Sequence, residues 1–238
     1  MHRHRLAAVA GLVSVVLLAG SAATASARQI GAFDVGGAIE TEYDAAGGFD
    51  LLGNPTGPDS LGANGGHYQV FDHGSIYWHP DTGAHEIGGL IRDRWGALGW
   101  EKGVLGYPTT RESDATGGRF NSFQGGSIYW SQDTGAHEIA GAIYVKWAAH
   151  DYERGDLGFP TSDEFATKGG GRANLFSGGA IYWTQATTAH ILTNGPILDQ
   201  WTVAGSDAGR YGFPTSDEYD VPGGKAQNFQ HGTITVRS

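Results

Sequence analysis

Hydrophobic positions along the chain follow a helical period in four separate places. Apolar side chains there return at steps of three and four residues, which is the pattern of a short amphipathic helix with one buried face. An isoleucine and a large aromatic residue four positions later mark this face in each copy: Ile39 and Tyr43, Ile91 and Trp95, Ile143 and Trp147, Ile197 and Trp201. The pattern predicts four short helices, each aiming the marked face at a core.

A segment with strand-like alternation follows each helix. Three of these segments share a glycine, an isoleucine and a Tyr-Trp pair, at 74–78, 126–130 and 179–183. Aromatic and β-branched residues favour strands, and a glycine-containing loop followed by a returning segment at 84–87 predicts a β-hairpin. Alternation places Ile76 and Trp78 on one face of the sheet and Tyr77 on the other.

A proline turn separates each helix from its hairpin. The turns begin at Leu52, Leu105, Leu157 and Tyr211, and the last three read apolar-Gly-aromatic-Pro. The intervals of 53, 52 and 54 residues are typical of a repeat fold, whose units bury their apolar faces against neighbours. The sequence therefore predicts a β-rich α+β repeat protein of four units, each with a short helix, the turn and a β-hairpin.

The two ends of the array predict how it closes. The last unit stops at 232–236 with no returning strand, and residues 31–39 align with 83–91, which hold the returning strand of the first unit. We expect this N-terminal strand to complete the last unit and to close the four units into a propeller-like ring, because closure removes exposed sheet edges. Residues 28–238 then form a single domain.

The N-terminal segment indicates a secreted protein. Residues 1–27 read as a signal peptide, with a basic start, an apolar stretch and a small-x-small cleavage site at 25–27. Its removal takes two of the 15 basic residues and none of the 25 acidic ones, so the formal net charge moves from −10 to −12. That charge argues against binding to nucleic acid or to an anionic membrane. With no cysteine, the fold has no disulfides, and we expect a monomer that is released or retained at the cell wall.

The turn, the helix Trp before it, and the Phe-x-x-Gly-x-Ile-Tyr-Trp and Thr-Gly-Ala-His segments after it resemble the LGFP repeat family of exported actinobacterial cell-envelope proteins. The resemblance covers residues 31–238. It implies an extracellular module that holds proteins to the envelope and has no catalytic residues in the repeats. Departures lie in the outer units, where Asn54 replaces the turn aromatic, Tyr211 replaces Leu, and Thr235-Val236 replace Tyr-Trp.

The repeated aromatic pairs are the candidate ligand-binding residues, because flat aromatic faces stack on sugar rings. They are Tyr77, Trp78, Tyr129, Trp130, Tyr182 and Trp183. Core packing is the competing interpretation for each Trp, which shares its face with an isoleucine. For the tyrosines on the opposite face, exposure in a groove and burial are both open.

Histidines and carboxylates also recur at fixed positions. His85, His137 and His190 could converge on the axis of a ring and suggest zinc, but Phe33 holds the fourth equivalent position, which favours a structural role. Acids after the proline turn, at 59, 112, 163–164 and 217–218, suit a repeated structural role better than a glycosidase pair. No nucleophile elbow, phosphate loop or catalytic cysteine is present in the sequence.

These observations favour a non-catalytic secreted module that binds a cell-envelope polysaccharide, without cofactor or metal. A cell-wall hydrolase, either a glycosidase or an esterase, that acts on the same polymers is the alternative. A protein-interaction scaffold, which the acidic surface suggests, is a third possibility.

Overall fold

The computed structural model describes residues 27–237 and consists of four repeated units, preceded by a small hairpin. We number the units by their residues: unit 1 (37–88), unit 2 (89–140), unit 3 (141–193) and unit 4 (196–237). The helices are α1 (Gly37–Ala46), α2 (Phe49–Leu52), α3 (Gly89–Ala97), α4 (Gly141–Ala148) and α5 (Pro196–Val203). Units 1 to 4 are therefore one structure repeated, and the predicted signal peptide lies almost wholly outside the described residues.

Each unit carries one antiparallel sheet, with four strands in units 1 to 3 and three in unit 4. The strands of unit 1 are β3 (Ser60–Leu61), β4 (His67–Val70), β5 (Gly74–His79) and β6 (Gly83–Gly88). Those of unit 2 are β7 (Ser113–Ala115), β8 (Gly118–Ser122), β9 (Gly126–Ser131) and β10 (Gly135–Ala140). Those of unit 3 are β11 (Phe165–Ala166), β12 (Arg172–Phe176), β13 (Gly179–Thr184) and β14 (Thr188–Thr193). Unit 4 has β15 (Tyr219–Val221), β16 (Gly224–Phe229) and β17 (Gly232–Arg237).

The predicted hairpin is confirmed as the third and fourth strands of units 1 to 3. In unit 1, Tyr77 pairs with His85 and Trp78 with Ala84. The first two strands of each sheet were not predicted, because they are short and their sequences differ from unit to unit.

A hydrogen bond from the helix aromatic fixes the proline turn in every unit. The indole Nε1–H of Trp95 donates to the carbonyl of Gly106 at 3.2 Å, and the other two helix tryptophans make the equivalent bond. In unit 1 the hydroxyl of Tyr43 donates to Gly53 at 2.9 Å. Tyr43 can replace Trp because it keeps both the buried ring and the polar group at its tip. The four Ile-aromatic pairs are buried, as the helical period predicts.

The turn aromatic joins a unit to the one before it. Tyr107 is 2% exposed, and its hydroxyl donates to the carbonyl of Ala63 in unit 1 at 2.6 Å. Its ring lies against Gly66, where a Cβ atom would fall 2.3 Å from the hydroxyl oxygen. Phe159 and Phe213 lie against glycines of units 2 and 3 in the same way. In units 1 to 3, a glycine at or just before the second strand therefore leaves room for the next unit's aromatic ring.

A buried amide completes each junction. Asn121 in unit 2 donates to the carbonyl of Glu86 in unit 1 and to the carbonyl of Thr110 in its own unit. Gln69, Asn174 and Gln227 occupy the same position and bridge the carbonyls of two segments in the same manner. All four amides are fully buried. Because buried carbonyls need partners, three of these side chains hold neighbouring units in register, and Gln69 does the same for unit 1 and the N-terminal hairpin.

The predicted ring closure is wrong. The N-terminal strand β2 (Phe33–Val35) pairs with β1 (Arg28–Ile30), and among the described residues β17 pairs with β16 alone. The sheets are separate, and none is closed or propeller-like.

The sequence departures in the outer units explain this outcome. A fourth junction would need an aromatic at Asn54 and a tyrosine at Thr235, and both positions are polar. Ile30 of β1 instead packs against the unit 1 core beside Val35 of β2. Repeat arrays commonly end in units with a polar outer face, so these substitutions mark the two ends.

Candidate functional site

The repeated tyrosines belong to the core between units. Tyr77 and Tyr129 are 5% and 4% exposed, and each meets the helix Trp of the next unit edge-on, with ring centroids 4.5 and 4.6 Å apart. Tyr182 is half-buried and makes the same contact with Trp201. Burial raises the pKa of all three hydroxyls. One ring face or edge of each tyrosine is therefore already used by the fold.

The repeated tryptophans are half-buried and lie apart from one another. Trp78, Trp130 and Trp183 each pack against the core of a different unit or junction. Trp78 also lines a shallow groove with Asp59 and His67 and meets the His67 ring edge at 5.7 Å. The structure thus does not bring the six predicted aromatic residues together into one site.

A groove between units 1 and 2 collects a different set of aromatic residues. This first groove, with a volume of about 320 Å³, is lined by Leu61, Tyr68, Val70, Tyr77, Arg92, Gly99, Trp100, Glu101 and Lys102. Tyr68 stacks on Tyr77 with centroids 5.0 Å apart, and Trp100 lies parallel to Tyr77 at 6.5 Å. Tyr77 is only 5% exposed, so the half-buried rings of Tyr68 and Trp100 supply the aromatic wall beside three charged side chains. This composition suits a sugar or another polar ring.

Trp100 adopts a backbone conformation that bulky residues rarely accept. Its φ is +57°, in the left-handed region. Residues in this region cost of order 1–3 kcal/mol each and cluster at ligand-binding sites. Gly96 makes room for the indole, because a Cβ atom there would fall 2.5 Å from the ring. The fold therefore accommodates an aromatic side chain in this conformation at the edge of the first groove.

The junction between units 2 and 3 repeats this arrangement with other aromatic residues. This second cluster consists of Phe120, Tyr129, Tyr144 and Tyr152. Phe120 stacks on Tyr129 with centroids 4.9 Å apart, and Tyr152 has a φ of +54°. In unit 4 the position of Tyr152 is held by Ser206, with a φ of +55°. The third junction therefore keeps the backbone shape but loses the aromatic surface.

Sequence reasoning missed these groove residues because equivalent positions hold different aromatic residues in different units. Tyr68 and Phe120 lie on second strands, and Trp100 and Tyr152 lie in short 3-10 segments. The available signal was a large aromatic residue in units 2 and 3 that lies five positions after the helix Trp and five positions before the next Leu-Gly.

The groove between units 3 and 4 is polar. It has a volume of about 340 Å³, and its lining includes His150, Thr193, Asp217, Glu218 and Lys225. Asp217 accepts from the backbone N–H of Ile191 and pairs with Lys146. Burial alone would raise the pKa of Asp217, but these donors hold it below its usual value.

The recurring histidines and acids make local structural contacts. Nε2–H of His85, His137 and His190 donates to a threonine carbonyl of its own hairpin turn at 2.7–2.9 Å. Three of the six post-proline acids, Glu112, Glu164 and Glu218, pair with a basic residue on the adjacent second strand. Within residues 27–237 no group of three or more His, Asp or Glu residues is placed to hold a metal ion.

Comparisons with known proteins identify the repeat. The family model described as LGFP repeat matches residues 52–103, 105–155, 157–209 and 212–238. No curated protein matches the chain. Among solved structures, the chain is similar to selenomethionine-substituted virginiamycin B lyase from Staphylococcus aureus, with 7% sequence identity, a TM-score of 0.15 and coverage of 76% of this chain and 54% of that one. The chain thus spans about half the length of that protein, and so low a TM-score supports no inference.

Proposed function

The chain belongs to the LGFP repeat family, and we propose that it is a non-catalytic secreted module that binds a polysaccharide of the cell envelope. The binding surfaces are the aromatic clusters at the first two junctions between units. Secretion rests on the N-terminal sequence pattern. In the described part of the chain, no helix has both the length and the apolar character needed to cross a bilayer.

The observation that carries this proposal is the pairing of an aromatic wall with left-handed backbone at Trp100 and Tyr152. Packing alone does not require an aromatic residue there, because Ser206 takes the same conformation in unit 4. The first two junctions have thus gained ring surface at a position where the fold accepts a serine. Aromatic rings on a groove are a common means of holding sugars, since they bury area at low cost in conformational entropy.

Two sites on one chain suit a polymeric ligand. A shallow groove binds a single sugar weakly, but two grooves on the same polymer raise the overall affinity by the effective concentration of the second contact. Loss of one groove should therefore lower the affinity for a long polymer by much more than twofold. For a short oligosaccharide, the same loss should only halve the number of ligands bound per chain.

Co-sedimentation with purified cell-envelope polysaccharide tests the proposal. Trp100→Ser and Tyr152→Ser remove the rings while keeping a residue that the fold accepts at this position. Phe49→Ala serves as the matched control, because Phe49 is 62% exposed and lies in neither cluster. We expect the double serine variant to lose retention and the control to keep it. Full retention of the double variant, with an unchanged melting temperature, would defeat the proposal.

The alternative is a hydrolase that acts on the same polymers. Its best support is the polar groove, where His150 lies 3.7 Å from Asp217 and has no equivalent in unit 2, which has Leu98. However, a general acid needs a raised pKa, and Asp217 has a lowered one. Glu86 has a pKa raised to about 7, but it is buried at a junction and is not among the residues lining the grooves above. Release of reducing ends from envelope polysaccharide would support this alternative.

A further inference from the structure

Arg92 lies in the first groove with most of its hydrogen-bonding capacity unused. Its Nε–H donates to Ser75 Oγ at 2.8 Å, and its guanidinium carbon lies 5.3 Å from the ring centroid of Trp100. Among residues 27–237 it forms no ion pair within 4 Å, so the four N–H groups on its terminal nitrogens are available. The serine and the indole thus restrict the position of the guanidinium.

The charge balance in the first groove is opposite to that of the whole chain. Arg92 and Lys102 line it together with a single acid, Glu101. Oε1 of Glu101 accepts a hydrogen bond from the backbone N–H of Ala63, which occupies part of that carboxylate. The groove thus carries a local positive charge on a protein with a formal net charge of −10. A small positive patch on an acidic protein does not attract polyanions from a distance, but it favours an anionic group over a neutral one in a ligand that is already bound.

We infer that the first groove binds an acidic sugar residue, with the sugar ring on the aromatic wall and its carboxylate or phosphate on Arg92. A guanidinium donates two parallel hydrogen bonds to either anion, and its planar fork fixes their geometry. This inference rests on the proposed function and specifies the ligand of one site.

The second cluster supplies an internal comparison. Tyr144 occupies in α4 the position that Arg92 occupies in α3, and its ring lies 5.9 Å from that of Tyr152. No positive charge replaces the guanidinium at this position, and Arg154, which corresponds to Lys102, is paired with Asp151, so we expect the second cluster to favour neutral sugar residues. The two sites then recognise different residues of one polymer.

Calorimetric titration with paired probes tests the inference. The methyl ester of trigalacturonic acid keeps the same sugar backbone with its carboxylates neutralised, and mannose differs from mannose 6-phosphate by lacking the phosphate group. We expect the wild-type chain to bind an acidic probe about tenfold more tightly than its neutral partner, the effect of about 1.4 kcal/mol from a charged hydrogen bond. Higher salt should reduce the ratio.

Two variants isolate Arg92. Arg92→Gln should lower the acid-to-neutral ratio severalfold, because it weakens binding of the acidic probe more than binding of the neutral probe, and Lys102 should supply the preference that remains. Tyr144→Arg should create a second charge-selective site, which would appear as an increased number of acidic ligands bound per chain. An unchanged ratio in Arg92→Gln, or equal binding of both probes by the wild-type chain, overturns the inference.

The outcomes also separate this inference from the proposed function. If the wild-type chain sediments with envelope polysaccharide but does not distinguish acidic from neutral probes, the acidic-sugar inference fails and the proposed function stands. If it sediments with no envelope polysaccharide and binds no probe, both fail. A preference for the phosphate pair alone assigns phosphate as the anion.

Discussion

Replacing Glu42 tests whether the repeated carboxylates serve the fold. Glu42 lies on α1 with a side chain only 8% exposed, and its Oε1 accepts from the backbone N–H of Glu86 at 3.2 Å. Its Oε2 accepts from Arg111 of unit 2 at 2.8 Å. At the next two junctions Asp163 and Asp217 accept from the equivalent backbone N–H. At the first junction the accepting carboxylate belongs to a helix residue, whereas at the next two junctions it belongs to a residue that follows the proline turn. In all three it accepts the same backbone hydrogen bond.

The magnitudes separate the hydrogen bond from the ion pair. Arg111 is 43% exposed, so water replaces most of what it loses when Glu42 becomes neutral, at a cost of about 0–1 kcal/mol. Glu42→Gln keeps an oxygen for the backbone N–H of Glu86 and should cost only that much. Glu42→Ala leaves a buried N–H unpaired, which costs about 1–3 kcal/mol more.

Urea unfolding followed by circular dichroism measures this difference, and hydrogen exchange at the Glu86 amide localises it. Asp93→Ala, an exposed acid on α3, should change the free energy of unfolding by less than about 0.5 kcal/mol. Equal destabilisation by Glu42→Gln and Glu42→Ala would refute the reasoning, because it would show that the charge and not the acceptor matters.

Three further predictions follow from the junctions. Burial and, to a smaller extent, the neighbouring Glu112 carboxylate raise the pKa of Glu86 from 4.5 to about 7. The folded state therefore holds this proton more tightly than the unfolded state, and the free energy of unfolding falls as pH rises from about 4.5 to 7. Glu86→Gln should reduce the difference in the free energy of urea unfolding between pH 5 and 8, and an unchanged difference would contradict this prediction. Tyr107→Phe should cost about 1 kcal/mol in urea unfolding through the lost hydrogen bond to Ala63, and no cost would mean that the bond contributes nothing. Gly96→Ala should displace Trp100 and lower polysaccharide binding severalfold while the chain still unfolds in one cooperative transition; unchanged binding would show that the indole position is unimportant.

The repeat architecture was predictable because the residues that determine it recur with the same identity at fixed intervals. The isoleucine and aromatic pair of each helix, the proline turn and the Tyr-Trp strand have the same spacing in successive units, so their shared role in a core follows from periodicity. The face assignment of Ile76 and Tyr77 was also correct, since strand alternation alone decides it.

The closure of the array and the location of the grooves were not predictable in this way. Alignment of residues 31–39 with 83–91 correctly identified β2 as an equivalent strand, but it could not show that β1 pairs with it. Tyr77 is buried because the helix of the next unit packs on it, and alternation within one strand cannot predict a contact with another unit. Trp100 and Tyr68 come together through packing between units, so their positions along the chain carry no common motif.

The most direct test of the account is an NMR titration of the tryptophan indole N–H signals with envelope oligosaccharide. The chain has seven tryptophans, and Trp95, Trp147 and Trp201 are fully buried. We predict that the Trp100 signal shifts while those three and the signals of Trp78, Trp130 and Trp183 stay in place. A shift of the Trp78, Trp130 or Trp183 signal with a stationary Trp100 signal would contradict binding at the first groove.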